Sequence, residues 1–217
     1  MIPALVLFDL DGTLVDSLFD LTDAVNHMLT AFGHSVLVPE QVRQLVGKGA
    51  RNLVQRALES DSEADIRRGL SLFTEFNTAH IADKSRLYPD VAAMLQQLRE
   101  AGIRMALVTN KPEALSILIV KTLGVEDYFE LIAGGDTYPE MKPSPRPLLR
   151  AIDQLGAPPS AAIMVGDSIN DIQAGVEAGI TTIGCTWGYG KPGELDRADH
   201  RVDNCMSLAN VLLGGIS

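Results

Sequence analysis

Residues Ala4-Leu5-Val6-Leu7-Phe8 form an unbroken apolar run that stops at Asp9, and similar runs recur at 103–108, 131–133, 162–165 and 181–184. Runs without polar alternation mark strands buried on both faces, as in a parallel sheet. Between them apolar residues return at helical spacing: Val91, Leu95 and Leu98; Leu115, Leu118, Ile119 and Leu123; Leu148, Leu149, Ile152 and Leu155. Strands alternating with helices of this length predict an α/β fold with a mainly parallel sheet, whose right-handed crossovers bring the strand ends to one edge.

Residues 15–85 interrupt that alternation. Leu18, Leu21, Val25, Met28 and Leu29 predict one helix, residues 42–58 and 66–76 predict more, and no run there has strand character. The simplest organisation is an α/β core over 1–14 and 86–217 with a helical insert over 15–85. Tyr88-Pro89-Asp90 marks the return to the core, with the proline expected in the first turn of a helix.

At 217 residues, 46% hydrophobic and 21% charged, the chain has the make-up of an ordinary folded domain, which excludes disordered and coiled-coil classes. Eighteen basic against 28 acidic residues leave a net charge of −10, which repels polyanions and argues against a nucleic-acid partner. The first apolar run is too short for a signal peptide or a membrane span, so no membrane partner is expected. Cys185 and Cys205 have neither metal-ligand nor disulfide-framework spacing, and a reducing cytoplasm is the expected setting.

Four polar clusters follow apolar runs or turns, and the carboxyl edge of a parallel sheet is where such folds place their ligands. Asp9-Leu10-Asp11-Gly12-Thr13 sets two carboxylates two residues apart, so one can attack phosphorus while the other protonates a leaving oxygen. Thr109-Asn110 offers a hydroxyl and following N–H groups for phosphoryl oxygens, and Lys142, in a proline-stiffened loop, offers a cation. Gly166-Asp167-Ser168-Ile169-Asn170-Asp171 supplies hard oxygen ligands suited to Mg²⁺. Each cluster alone also admits a plainer role: a turn at Asp11-Gly12, a satisfied loop hydroxyl at Thr109, a solvated cation at Lys142, a helix cap at Asp167 or Asp171.

Taken in order, Asp9-Leu10-Asp11-Gly12-Thr13-Leu14, Thr109, Lys142 and Gly166 to Asp171 resemble the four motifs of the haloacid dehalogenase superfamily of phosphatases, over essentially the whole chain. The resemblance implies a doubly wound, Rossmann-like core with a small mobile helical cap. It further implies an aspartyl-phosphate on Asp9, Asp11 acting as acid and then base, and Mg²⁺ held by Asp9, the Asp11 carbonyl and Asp167. Asp171 would orient the metal shell and Lys142. Val46-Gly47-Lys48-Gly49-Ala50-Arg51 and Thr186-Trp187-Gly188-Tyr189-Gly190 are similar to segments of that superfamily's phosphoglycolate phosphatase group.

This makes Gly12, Thr13, Asn110, Lys48, Gly49 and Arg51 the substrate-binding candidates. The cap loop's N–H groups and cations would meet the carboxylate of a small phosphate ester such as 2-phosphoglycolate, in a monomer or homodimer. Lys48 and Arg51 can equally be solvent-facing residues of a loop and a helix start. A sugar-phosphate mutase on the same scaffold and a non-catalytic phosphate-binding module are the alternatives. Phosphonate hydrolases and dehalogenases are disfavoured, because Asp11 is present.

Overall fold

The computed structural model describes residues 2–215. In chain order, β1 (Leu5–Phe8) and β2 (Val15–Asp16) lead into four helices, α1 (Leu18–Ala31), α2 (Pro39–Arg43), α3 (Gly49–Leu58) and α4 (Glu63–Ala79). The chain then returns through β3 (Arg86–Leu87), α5 (Val91–Glu100), β4 (Arg104–Val108), α6 (Glu113–Thr122), β5 (Leu131–Ala133) and α7 (Arg146–Gln154). It closes with β6 (Ala162–Gly166), α8 (Ile169–Ala178), β7 (Thr181–Cys185), β8 (His200–Val202) and α9 (Cys205–Gly214).

Six parallel strands form the sheet in the order β5-β4-β1-β6-β7-β8. Side chains alternate between its faces as the pleat requires. Val6, Phe8, Met105, Leu107, Ile163 and Val165 pack with α5, α6 and α9, while Leu5, Leu7, Ala106, Val108 and Met164 pack with α7 and α8. Both faces are covered, which is why the central strands β1 and β6 carry no polar side chain. The chain builds outward from β1 through β4 to β5, then crosses back to β6 on the other side. That reversal opens a crevice at the carboxyl ends of β1 and β6, the switch point where open α/β sheets hold ligands.

Helices α1, α3 and α4 bury a separate cluster that includes Leu21, Val25, Met28, Leu53, Val54, Leu58 and Phe73. Two passages join them to the sheet, and β2 and β3 pair antiparallel across those passages, Val15 with Leu87 and Asp16 with Arg86. A buried carboxylate reinforces the junction: Asp20 accepts from the Lys84 N–H at 3.0 Å and from the Ser85 N–H and Oγ at 2.7 and 2.6 Å. Among the described residues no helix is long and apolar enough to cross a membrane.

Three local expectations need correction. Val15–Asp16 is a strand inside the segment expected to lack one, too short to carry a pattern. β8 was not anticipated, because among His200, Arg201 and Val202 only Val202 is buried. Pro89 lies outside the helix: Asp90 is the N-cap in a left-handed conformation, φ 65°, and turns the chain before α5 begins at Val91.

Candidate active site

The β1 ladder continues one residue past the strand, with the Asp9 N–H donating to the Val165 carbonyl at 2.9 Å. Leu10 is fully buried and its carbonyl accepts from the N–H groups of Thr13, Leu14 and Val15, folding the chain into a tight loop. Gly12 completes the loop at φ 91°, and a Cβ there would strike the Asp167 carboxylate.

Lys142 ties two strand ends to the first turn of α8. Its ammonium donates to Asp9 Oδ1 at 2.9 Å, to Asp171 Oδ1 at 2.7 Å and to the Val108 carbonyl at 2.6 Å. The Asn110 side chain fixes the backbone of the same lysine, accepting from its N–H at 3.0 Å and donating to its carbonyl at 2.8 Å. With Lys142 and Asp171 only 2% and 1% exposed, little water screens the pair. Burial lowers the lysine's pKa, but Asp171 and Asp9 outweigh it and hold the ammonium above its ordinary value.

Asp167, at the end of β6, accepts from Thr13 Oγ1 at 2.9 Å and from the Tyr189 N–H at 2.7 Å. Asp171 closes a capping box on α8, its Oδ2 accepting from the Ser168 N–H at 3.1 Å and Oγ at 2.8 Å, so it serves helix and site together. Thr109, buried at the end of β4, lines the same cavity as Asp9 and Asp11.

The donor set suits a hard divalent cation. Carboxylate oxygens of Asp9, Asp167 and Asp171 lie within 4.8 Å of one another. Burial, opposed by Lys142 and reinforced by Asp171, pushes Asp9 up to about 6. Burial with repulsion from Asp171 and Asp9 pushes Asp167 up to about 8. Lys142 alone leaves this cluster with surplus negative charge, and Mg²⁺ characteristically takes one or two carboxylates along with water and phosphate.

Two of the cavities on this edge are lined by both Asp9 and Asp11. One of about 50 Å³ lies between the sheet edge and the helices, bounded by Asp9, Asp11, Thr109, Lys111 and Lys142 on one side and by Leu21, Leu53, Phe73 and Asn77 on the other. The second, of about 200 Å³, is more polar and is lined by Asp9, Asp11, Asp167, Arg43, Lys48 and Lys191. The loop before α3 is docked on the sheet domain: Gly47, at φ 105°, presents its carbonyl to Asn110 Nδ2 at 2.8 Å and to Asn170 Nδ2 at 3.2 Å.

Asp9, Asp11, Gly12, Thr13, Thr109, Asn110, Lys142, Asp167 and Asp171 therefore converge on one edge. Gly49 lines the small cavity and Lys48 the polar one. Arg51 lines neither of these two but a third cavity, of about 650 Å³, shared with Lys48, Gly49 and Asn110; its guanidinium is exposed and paired with Glu63 at 2.5 Å. Sequence reasoning passed over Lys111, whose buried ammonium stands 3.2 Å from Asp11 Oδ2, and Ser17, whose Oγ donates to Asp11 Oδ1 at 2.6 Å. The signal for Lys111 was its place directly after Thr109-Asn110; Ser17 had none. Also passed over was Arg43, which donates to the Gly188 and Tyr189 carbonyls and links the helices to the loop that holds Asp167.

Residues 6–185 match the family model of the haloacid dehalogenase-like hydrolases, so the chain belongs to that family, and it is a phosphatase within it. It is similar to the phosphoglycolate phosphatase of Chromobacterium violaceum, 40% identical over 97% of this chain and 96% of that one. Phosphoglycolate phosphatase 1 of Pseudomonas aeruginosa is 41% identical over 95% of this chain and 79% of its own length. Among solved structures, a predicted phosphoglycolate phosphatase from Haemophilus somnus superposes with a TM-score of 0.91 at 32% identity, covering 96% of this chain and 97% of that one. CbbY from Rhodobacter sphaeroides, solved with phosphate, gives 0.84 at 28% identity over 95% and 96%.

Proposed function

We propose that this phosphatase hydrolyses a small phosphate monoester, 2-phosphoglycolate foremost, through a covalent aspartyl-phosphate on Asp9. The observation that carries the reading is the Asp9–Lys142–Asp171 bridge beside a cavity of about 50 Å³, which holds the Asp9 carboxylate at a space suited to a small leaving group. The name of relatives about 40% identical over nearly the full chain supports the substrate.

Asp9 is the nucleophile. One of its carboxylate oxygens forms a bond to phosphorus as the ester P–O bond breaks, and Asp11 gives its proton to the departing alcohol oxygen. Asp11 then takes a proton from water, whose oxygen attacks phosphorus and frees Asp9 and inorganic phosphate. Ser17 and Lys111 hold the Asp11 carboxylate in place for both transfers. Thr109, the Asn110 N–H, Gly12 and Thr13 position phosphoryl oxygens, and Lys142 offsets the charge that gathers on them.

Mg²⁺ held by Asp9, Asp167 and the Asp11 carbonyl, with Asp171 orienting that shell, would supply positive charge against the phosphate and the nucleophile. Residues 15–85 act as the cap, closing over the ester and excluding water, with the Gly47 carbonyl as the latch against Asn110 and Asn170. A panel of phosphomonoesters that includes 2-phosphoglycolate, sugar phosphates and nucleotides, assayed with and without Mg²⁺, tests the reading. The expected result is a kcat/KM highest for 2-phosphoglycolate and dependent on the cation. A preference for nucleotides, or turnover indifferent to Mg²⁺, would overturn it.

A further inference from the structure

Helix α4 carries one polar residue into an otherwise apolar stretch of cavity wall. Asn77 is 2% exposed, lines the cavity shared by Asp9 and Asp11, and its Oδ1 has no hydrogen-bond partner among the described residues. Leu21, Leu53 and Phe73, its companions on the helical side of the cavity, are apolar. A buried amide left without a partner is destabilising, and a leucine of similar volume would fill the place without that penalty. Proteins satisfy nearly all such groups, so an orphan facing a reaction cavity calls for a partner that arrives from outside.

The chemistry of that partner can be narrowed. The Lys111 ammonium, engaged with the Asp11 carboxylate and able to donate up to three hydrogen bonds, belongs to a residue that lines the same cavity of about 50 Å³. A half-turn of the Asn77 amide exchanges its oxygen and its NH₂, so the unpartnered position, an acceptor as it stands, becomes a donor when the amide turns to meet an anion. An ammonium and an amide NH₂ together suit an anionic oxygen group on a leaving alcohol only a few atoms long. Lys48, in contrast, faces the other cavity, and Arg51 is held by Glu63.

We propose that Asn77 is a specificity-determining residue, whose carboxamide donates to the carboxylate of the leaving group with Lys111 as its cationic companion. This rests on the reading of the site as a phosphatase for small carboxylated esters. It moves recognition of the carboxylate from the loop before α3 to the inner face of α4.

The test compares 2-phosphoglycolate with ethyl phosphate, an ester of the same length whose leaving group has a methyl in place of the carboxylate. For Asn77→Leu and Asn77→Ala, kcat/KM on 2-phosphoglycolate should fall by about tenfold or more beyond the change on ethyl phosphate. The loss should lie mainly in KM, and the melting temperature of the leucine variant should hold or rise. An unchanged ratio between the two esters in both variants overturns the role of Asn77 while leaving the phosphatase reading intact. Should the wild-type enzyme favour a different polar ester, the substrate reading fails, and the same comparison of that ester with its apolar isostere decides Asn77. A wild-type enzyme with no preference for any polar ester over ethyl phosphate overturns the proposal outright.

Discussion

The sheet edge and the helical face above it are built on opposite principles. At the edge, every charged group has a polar partner: Lys142 with Asp9 and Asp171, Lys111 with Asp11, Asp167 with Thr13 and a backbone N–H. The helical face across the small cavity is apolar apart from Asn77. The edge inherits its precision from parallel strands locked on both faces, and it can afford buried charges because each has partners at hydrogen-bond distance. The helices hang on two short passages, and their side of the small cavity carries one polar side chain. The charged groups of the site are thereby held by the sheet, and the apolar side of the small cavity by the part joined through the β2–β3 ribbon.

The sharpest way to break this contrast is at the nucleophile. Asp9→Asn should lower kcat by at least about a thousandfold while the melting temperature stays within a few degrees, since Lys142 retains Asp171 as a partner. Steady-state assays with p-nitrophenyl phosphate alongside thermal scans would show it, and more than a few per cent residual activity would count against covalent catalysis. Lys142→Met comes next. It leaves Asp9 and Asp171 buried without their shared cation, and unfolding in denaturant should show a loss of about 3–5 kcal/mol. A loss below about 1 kcal/mol would mean that the matched charges do not hold the edge together.

The cation dependence of stability sharpens the same point. With Asp167 raised from 3.8 to about 8, the folded chain without a cation keeps a proton there that the unfolded chain releases. Asp9, raised to about 6, adds to this below that value. Folding therefore takes up protons between about pH 4 and 8, and stability falls as pH rises through that window. A divalent cation relieves the repulsion that the proton otherwise relieves. Mg²⁺ should thus raise the melting temperature by a few degrees more at pH 8 than at pH 6. Equal shifts at the two pH values would remove the carboxylate cluster as the cation's site.

The smallest effect belongs to the outer surface of the helical part. Arg51→Ala should leave kcat/KM for 2-phosphoglycolate within about twofold of wild type, because the side chain faces solvent and pairs with Glu63. A selective rise in KM for that ester would return Arg51 to the substrate and unsettle the assignment of Asn77.

Much of this was determined by the sequence alone. Apolar runs of three to six residues, too short for helices and ended by turn residues, are strands buried on both faces, so the sheet, and the placing of Asp9, Thr109 and Asp167 just beyond strand ends, follow from local pattern and length. The helical spacing of Leu18, Leu21, Val25 and Met28 likewise placed α1. The runs do not contain the strand order, which arises from long-range pairing. That order puts β1 between β4 and β6 and makes one site of residues far apart in the chain. Nor does periodicity say where a polar side chain on a mostly polar segment points. Tertiary packing alone turned Lys111 inward to Asp11, sent Arg51 outward to Glu63, and aimed Asn77 into the cavity. Apolar burial is a large free energy written into each local stretch of chain, whereas the direction of a charge or an amide is settled only by partners that folding brings from elsewhere.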